Sequence, residues 1–244
     1  MLLYTLNIFS VVTFILCGAE ELTLPVTTCK RNSTEYLACL KVASEEAWPR
    51  FAEGLPEFDF PRLEPFFYKY VKIVFNRNGI YGEANLTNST LSGLANARFL
   101  DLRPYFLDNV FQLEVDVLIP KVFLDTYANG EINPGGMRVD VTASHVNVTI
   151  DESRMTWKIT GHVKNDTWTI EHFRTTVTIE KLKFHFVSFN GAREFADVME
   201  VIMNENWPSI YRVVGPVVFK ILDPIFTDFC NRLFSKVSLS KVFP

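Results

Sequence analysis

The stretch from Asn204 to Phe234, NENWPSIYRVVGPVVFKILDPIFTDFCNRLF, is an apolar helical sequence that contains Pro208, Pro216 and Pro224, spaced eight residues apart. Apolar residues cover well over half of its circumference, which is typical of a helix surrounded by protein. Five charged residues follow Tyr211 within this stretch, and they exclude a membrane-spanning helix. Because each interior proline costs about 3 kcal/mol in an ordinary helix, the surrounding structure has to compensate.

A single narrow polar line follows this helix at spacings of three and four residues. Its members are Arg212, Pro216, Lys220, Asp223, Thr227 and Asn231. Pro216 lies on the line and Pro224 lies beside it, so kinks at these prolines should bow the helix with its convex side toward solvent. Asn206 is expected to cap the first turn, because asparagine is favoured at that position and proline is favoured just after it.

From Phe67 to Phe189 the hydrophobic period changes to two, which predicts half-buried β-strands. The alternation slips near Ser144 and His145, and again between Ile170 and Phe173. Such slips predict bulges, which bend and twist a sheet. We therefore expect a strongly curved antiparallel sheet that wraps the long C-terminal helix.

Apolar spacing predicts a second, N-terminal helix from about Glu35 to Glu53. Cys29 and Cys39 lie just before and within it and bracket a short loop. Close cysteines in a secreted domain commonly form a disulfide, so we expect this pair to be bonded. Cys230, on the long helix, is expected to be a buried free thiol.

The first nineteen residues, MLLYTLNIFSVVTFILCGA, have an apolar core followed by small residues at the expected cleavage site. The apolar run is shorter than the roughly 20 residues needed to span a bilayer, so a cleaved secretory signal is favoured over an anchor. Residues 20–244 are expected to form one domain, since no linker divides them. Five sequons are candidate glycosylation sites on this route: Asn32, Asn85, Asn88, Asn147 and Asn165.

The sequence lacks the motifs of a hydrolase elbow, a zinc protease helix or a phosphate-binding loop, so no enzyme, metal site or cofactor is predicted. His162 and His185 fall on outward strand positions. An esterase would need a Ser-His-acid cluster, and no sequence motif indicates one. The net charge of −4 argues against nucleic acid and anionic membranes as primary partners.

Several segments together carry a family resemblance. They are the pair Cys29 and Cys39 before a helix, NSTLSGLANARFLDL, YANG after LIPKVFLD, MNENW, and the closing LFSKVSLSKVFP. In this order and spacing they resemble the insect takeout and juvenile-hormone-binding protein family over essentially the whole mature chain. The second disulfide of the juvenile-hormone carriers is absent here, which favours the takeout-like branch.

The resemblance implies an elongated α+β fold of the TULIP group, in which the curved sheet wraps the C-terminal helix as a super-roll. It implies a secreted monomer in haemolymph or another extracellular fluid that carries a small hydrophobic ligand in an internal tunnel. The ligand would be a terpenoid such as juvenile hormone or a fatty-acid-like lipid. Roles in circadian, feeding or hormone signalling, and a receptor or other protein partner, are further implications.

Strand and helix phase predict which side chains line the tunnel, whose wall should be apolar and aromatic. The candidates are Phe75, Leu113, Val115, Val117, Met137, Val139, Val141, Trp157, Phe173, Val177, Phe184, Phe186, Val214, Val217, Val218, Ile221, Ile225 and Phe229. Tyr127 is expected to offer a polar head group one hydrogen bond. In the alternative interpretation these residues only fill a core, and the protein is a secreted signalling or interaction glycoprotein.

Overall fold

The computed structural model describes residues 23–77, 80–134, 138–190 and 192–244. The predicted signal peptide, residues 1–19, and the wall candidate Met137 lie outside the described residues. Within those ranges the helices and strands are α1 (Tyr36–Glu53), β1 (Phe66–Arg77), β2 (Ile80–Ser92), β3 (Arg98–Leu107), β4 (Val110–Pro134), β5 (Val139–Lys164), β6 (Thr167–Ser188), α2 (Glu194–Phe234) and α3 (Leu239–Val242). No helix in the described part of the chain has both the length and the apolar character that crossing a membrane requires.

The strands form one antiparallel sheet in the order β1-β2-β4-β5-β6, and β3 also pairs with β4. β3 pairs with residues 110–118 of β4, and β2 pairs with residues 123–134 of the same strand. β1 and β6 end this order, and α2 contacts both of them, so the helix lies at the opening of a sheet that is not closed. The predicted α+β architecture, with a long C-terminal helix against a large antiparallel sheet, is confirmed.

Period-two alternation turns one face of the sheet inward. In the first half of β4 the buried positions are Phe111, Leu113, Val115, Val117 and Ile119. In β1, Ile73 is buried between the exposed residues Lys72 and Val74. Strand phase in these two elements is therefore as the sequence predicts.

Two irregularities interrupt the pairing of β5 with β6. One register shift lies between His145 and Val146, and the other lies between Thr160 and Gly161. Both coincide with slips in the sequence pattern, so the predicted bulges are confirmed. A Cβ on Gly161 would lie 2.0 Å from the carbonyl oxygen of Thr169, because the backbones approach closely at the second bulge.

The long helix begins earlier than the sequence predicts. α2 spans 41 residues, so Asn206 lies inside it, and its side-chain amide donates to the carbonyl of Ile202 at 2.8 Å. The predicted N-cap at Asn206 is wrong. The preceding run, EFADVMEVIM, is rich in residues that favour helix, and the helix continues from it through Pro208.

One line of α2 faces solvent, with a member at every fourth residue. Its exposed members are Arg212, Pro216, Lys220, Pro224 and Asp228. Pro216 and Pro224 thus lie on the solvent side, as predicted. There water can satisfy the carbonyl groups that each proline leaves without a helical donor.

The second half of the predicted polar line faces β6 instead of solvent. Asp223 accepts a hydrogen bond from the backbone amide of Phe173 at 2.8 Å, and the hydroxyl of Thr227 donates to Asp223 at 3.2 Å. Asn231 pairs with the backbone of Ile170. The prediction is wrong for these three residues because an edge strand presents unpaired backbone groups that polar side chains can satisfy.

Two asparagines of α2 pair with β6 as a neighbouring strand would. Asn231 accepts from the amide of Ile170 and donates to its carbonyl, both at 2.8 Å. Asn204 does the same at Phe184, at 2.8 and 2.9 Å. Two further side chains add single bonds: Tyr211 donates to the Val177 carbonyl at 2.8 Å, and Glu200 accepts from the Phe186 amide at 3.2 Å.

The α1 end of the molecule is tightly packed and is held by a disulfide. Cys29 and Cys39 form the predicted disulfide. The amide of Arg31 donates to the carbonyl of Pro244 at 2.8 Å, which ties this loop to the C-terminal segment. Phe243 is buried in the same cluster as Cys29.

Replacing Asp223 by leucine should leave the amide of Phe173 without a partner and lower the free energy of unfolding by about 1–3 kcal/mol. Urea denaturation measures the change. Asp228→Leu is the matched control, because Asp228 is exposed and its ion pair is with Arg232, one turn away at 2.7 Å. We expect a loss of about 0.5 kcal/mol or less for the control, and equal losses for the two variants would contradict the edge-pairing role of Asp223.

Candidate functional site

Two clusters of buried apolar side chains lie at opposite ends of β5 and β6. The first and larger cluster includes Ile159 of β5 and Phe173 of β6, together with residues of α1, β3, β4 and the C-terminal segment. A second cluster at the other end consists of Val146, Phe186, Phe189 and Ala196, with partly buried neighbours on β5, β6 and the start of α2. The candidate ligand site is the region between these clusters, where α2 faces the sheet.

The middle of α2 is apolar but only half-buried. Of the 41 residues of α2, all of them described, only Ala196, Gly215 and Leu233 are buried. A helix packed on all sides at normal protein density would bury most of its apolar side chains. The rest of the described protein therefore leaves the apolar side chains of α2 only partly covered.

Most half-buried apolar residues of α2 from Val214 to Phe229 follow two lines, and Phe219 lies on neither. An inner line is marked by Phe226, whose ring lies 5.2 Å from that of Phe173 in the sheet. A line toward β1 is marked by Phe229, whose ring lies 6.0 Å from that of Phe66. Each line continues toward the N-terminus of α2 in steps of four residues. The inner line contains Val214, Val218 and Leu222. The line toward β1 contains Val217, Ile221 and Ile225.

The sheet contributes half-buried side chains opposite this part of α2. Val177 and Ile179 continue the inward phase of Phe173 on β6, and the carbonyl of Val177 accepts from Tyr211 of α2. Phe75 continues the inward phase of β1. We call the half-buried set the inner wall; it comprises Phe75, Val177, Ile179, Val214, Val217, Val218, Ile221, Leu222 and Ile225.

The remaining wall candidates lie in or against the packed ends. The first cluster contains Leu113, Val115, Val117 and Phe173, with Trp157 packed against it. The second contains Phe186, with Val141 and Phe184 packed against it. Val139 is half-buried, and Phe229 contacts Phe60, Phe66 and Phe226. The predicted set thus divides between core and inner wall.

Gly82 makes room for the ring of Phe75, a role that the strand pattern did not predict. It pairs with Phe75 across β1 and β2, and a Cβ on Gly82 would lie 2.1 Å from Cζ of the Phe75 ring. The end of the ring therefore occupies the space that a side chain at position 82 would need. A glycine inside a strand pattern is the signal that indicates such a close approach.

Tyr127 lies on the outer face of the sheet. Its side chain is 44% exposed and stacks on the ring of His145 with 4.5 Å between centroids. The buried neighbour on the strand is Thr126, so the interior faces the other way. The predicted hydrogen bond from Tyr127 to a head group inside is wrong, because the inward phase of β4 changes after Pro120.

Charged groups collect on the outer face of the sheet. Arg103 contacts Asp101, Glu114 and Asp116, and its guanidinium lowers the pKa of the Asp116 carboxyl. Thr156 also donates to Asp116, at 2.7 Å. Among the described residues, no group of three or more histidine, cysteine, aspartate or glutamate residues is arranged to hold a metal ion.

The chain is similar to known proteins in sequence and in fold. A family model, described as haemolymph juvenile hormone binding protein (JHBP), matches residues 8–244. No curated protein matches the chain. The crystal structure of Takeout 1 from Epiphyas postvittana is similar, with a TM-score of 0.72 and 17% sequence identity over 89% of this chain and 99% of that chain. At this identity the likeness concerns the fold.

Cys230, on the inner side of α2, is a free cysteine as predicted but is only half-buried; desolvation of its thiol raises the pKa to about 12. At pH 8 its thiolate fraction should be roughly a thousand-fold lower than that of an unfolded cysteine. We therefore expect iodoacetamide to label Cys230 of the folded, mature protein extremely slowly and to label it readily in urea. Intact-mass spectrometry measures the reaction, and comparable rates in the two conditions would show that the thiol is accessible.

Proposed function

The chain belongs to the haemolymph juvenile hormone binding protein family, and we propose that it is a carrier that holds a small hydrophobic ligand between α2 and the sheet. The partial burial of the inner wall supports this proposal. Apolar side chains that a packed core would bury remain half-exposed from Val214 to Ile225. A ligand that covers them completes their burial.

Affinity would come from apolar surface without a charged anchor. Burial of on the order of 400 Å² over ligand and wall contributes about 10 kcal/mol at ~25 cal/mol per Å². That contribution exceeds the lower estimates of the cost of association. No chemical step is required, and we propose binding without catalysis.

An elongated ligand fits the arrangement best. The inner wall follows α2 for about 17 Å, at 1.5 Å per helical residue. Its residues are aliphatic and aromatic, which suits a terpenoid such as juvenile hormone or a fatty-acid-like lipid. We propose these two classes as the cargo; roles in circadian, feeding or hormone signalling, and a receptor, rest on the family resemblance alone.

We further propose that residues 1–19 are a secretory signal and that residues 20–244 act outside the cell as one domain. The disulfide between Cys29 and Cys39 suits an oxidising compartment. The sequon residues Asn32, Asn88 and Asn165 are exposed, whereas Asn85 and Asn147 are half-buried. The exposed three are the sites that we expect to carry glycans first.

Native mass spectrometry of the secreted protein, before and after organic extraction, tests the carrier function. We expect a bound lipid mass that disappears on extraction and is restored stoichiometrically by a fatty acid or a terpenoid ester. A protein that is ligand-free as secreted and takes up neither compound would favour the alternative of a signalling or interaction glycoprotein.

Val218→Trp should block the interior. If the inner wall borders open space, the indole fills that space, so ligand uptake is lost while the melting temperature stays within a few degrees of the original. In a packed core the same change would cost about 1–3 kcal/mol through overpacking. Lys220→Trp, on the solvent line of the same helix, is the control and should leave uptake and stability unchanged.

A further inference from the structure

The two ends of the interior are closed in different ways. At the α1 end, the large cluster unites α1, β3 to β6 and the C-terminal segment, next to a disulfide. At the opposite end the cluster is small and joins only β5, β6 and the start of α2. In α2, which is described throughout, Ala196 is the only buried residue before Gly215.

Pro208 weakens α2 close to this lightly packed end. Proline has no amide hydrogen, so the carbonyl of Asn204 lacks its helical donor. The side chain of Asn206 also donates to the carbonyl of Ile202 at 2.8 Å, and such local bonds compete with the helical ladder. The helix is therefore weakened between its first three turns and the rest.

Two polar side chains hold those first turns against β6. Asn204 makes its paired hydrogen bonds with the backbone of Phe184, at 2.8 and 2.9 Å. Glu200 accepts from the amide of Phe186 at 3.2 Å and lies 2.9 Å from Nδ1 of His185. These contacts form a latch at the edge of the sheet.

The other side of the same segment contributes little to holding it in place. Its exposed apolar residues are Phe195 (62%), Val198 (56%), Val201 (55%) and Ile202 (48%). Segments with few buried apolar contacts open at a lower free energy than the core of a protein. The polar latch and one small cluster are thus what keep the segment closed.

We infer that the α2 segment from Glu194 to Trp207 is a lid through which the ligand enters and leaves, with Pro208 as its hinge. The inference rests on the proposed carrier function and adds the route of exchange. Rotation about the hinge lifts Ala196, Met199 and Met203 from Phe186. That movement opens the interior at this end while the α1 end remains packed.

The rate of ligand dissociation from the Asn204→Ala variant tests the lid. The matched control is Asn231→Ala, which removes the same pair of hydrogen bonds at the other end of α2. The probe is a dansyl-labelled undecanoic acid displaced by excess oleic acid in a stopped-flow instrument. We expect Asn204→Ala to dissociate about 10-fold faster, since two hydrogen bonds to the closed state are lost. Asn231→Ala should remain within about two-fold of the original rate, although both variants lower the melting temperature. Equal acceleration in both variants, or none in Asn204→Ala, overturns the lid.

Amide hydrogen exchange of the ligand-free protein tests whether the lid opens, independently of any ligand. The lid predicts faster exchange for residues 195–203 than for residues 210–230, a further increase in the first range only for Asn204→Ala, and a decrease there for Pro208→Ala. Uniform protection along α2 contradicts the lid. Failure of the original protein to bind any probe contradicts the carrier function instead, and hydrogen exchange still decides whether the segment opens.

Discussion

Strand β6 ends the sheet, and side chains of α2 pair with several of its free backbone groups in place of another strand. Asn204, Tyr211, Asp223 and Asn231 provide this pairing at four positions between Ile170 and Phe184. An unprotected edge of this length would invite pairing with another chain. The same contacts fix the rotation of α2, and this rotation turns its prolines toward solvent and its valines and isoleucines toward the sheet. The location of the inner wall therefore follows from how the edge is satisfied.

The partial burial of the inner wall has a thermodynamic consequence. Each half-exposed side chain on the inner wall forgoes part of the stabilisation that full burial would give. The large cluster under α1 and the disulfide supply stability that does not depend on a ligand. A ligand that binds only the folded state would add to it, so stability and cargo become linked quantities.

Sequence periodicity predicted most of the fold, because burial of one face imposes a period that local composition reveals. It placed α1, the region of the strands and both bulges, and it put Pro216 and Pro224 on the solvent side of α2, but it did not identify β2 and β3 individually. It failed for Asp223, Thr227 and Asn231, since polarity alone does not distinguish a solvated side chain from one bound to a strand edge. It failed for Tyr127 because the inward phase of β4 changes at Pro120. In the pairing of β4 with β5, Ile119 pairs with Ser153 and Lys121 with Asp151, and Pro120 between them has no paired partner. The division between packed core and inner wall was also beyond reach: Val117 and Val217 look alike in sequence and differ only in what lies opposite them.

Asn204 and Asn231, which each make two hydrogen bonds to β6, require a segment of α2 and a segment of β6 to match in length. Asn204 and Asn231 are 27 residues apart on a helix, and their partners Phe184 and Ile170 are 14 residues apart on a strand. At about 1.5 Å per helical residue and about 3.3 Å per strand residue, these distances are roughly 40 Å and 46 Å. One inserted residue in the helix would turn one asparagine by about 100° away from the strand, and one in the strand would reverse its faces. Changes in chain length should therefore be tolerated in the turns between strands and at the ends of α2, and rejected along the seam itself.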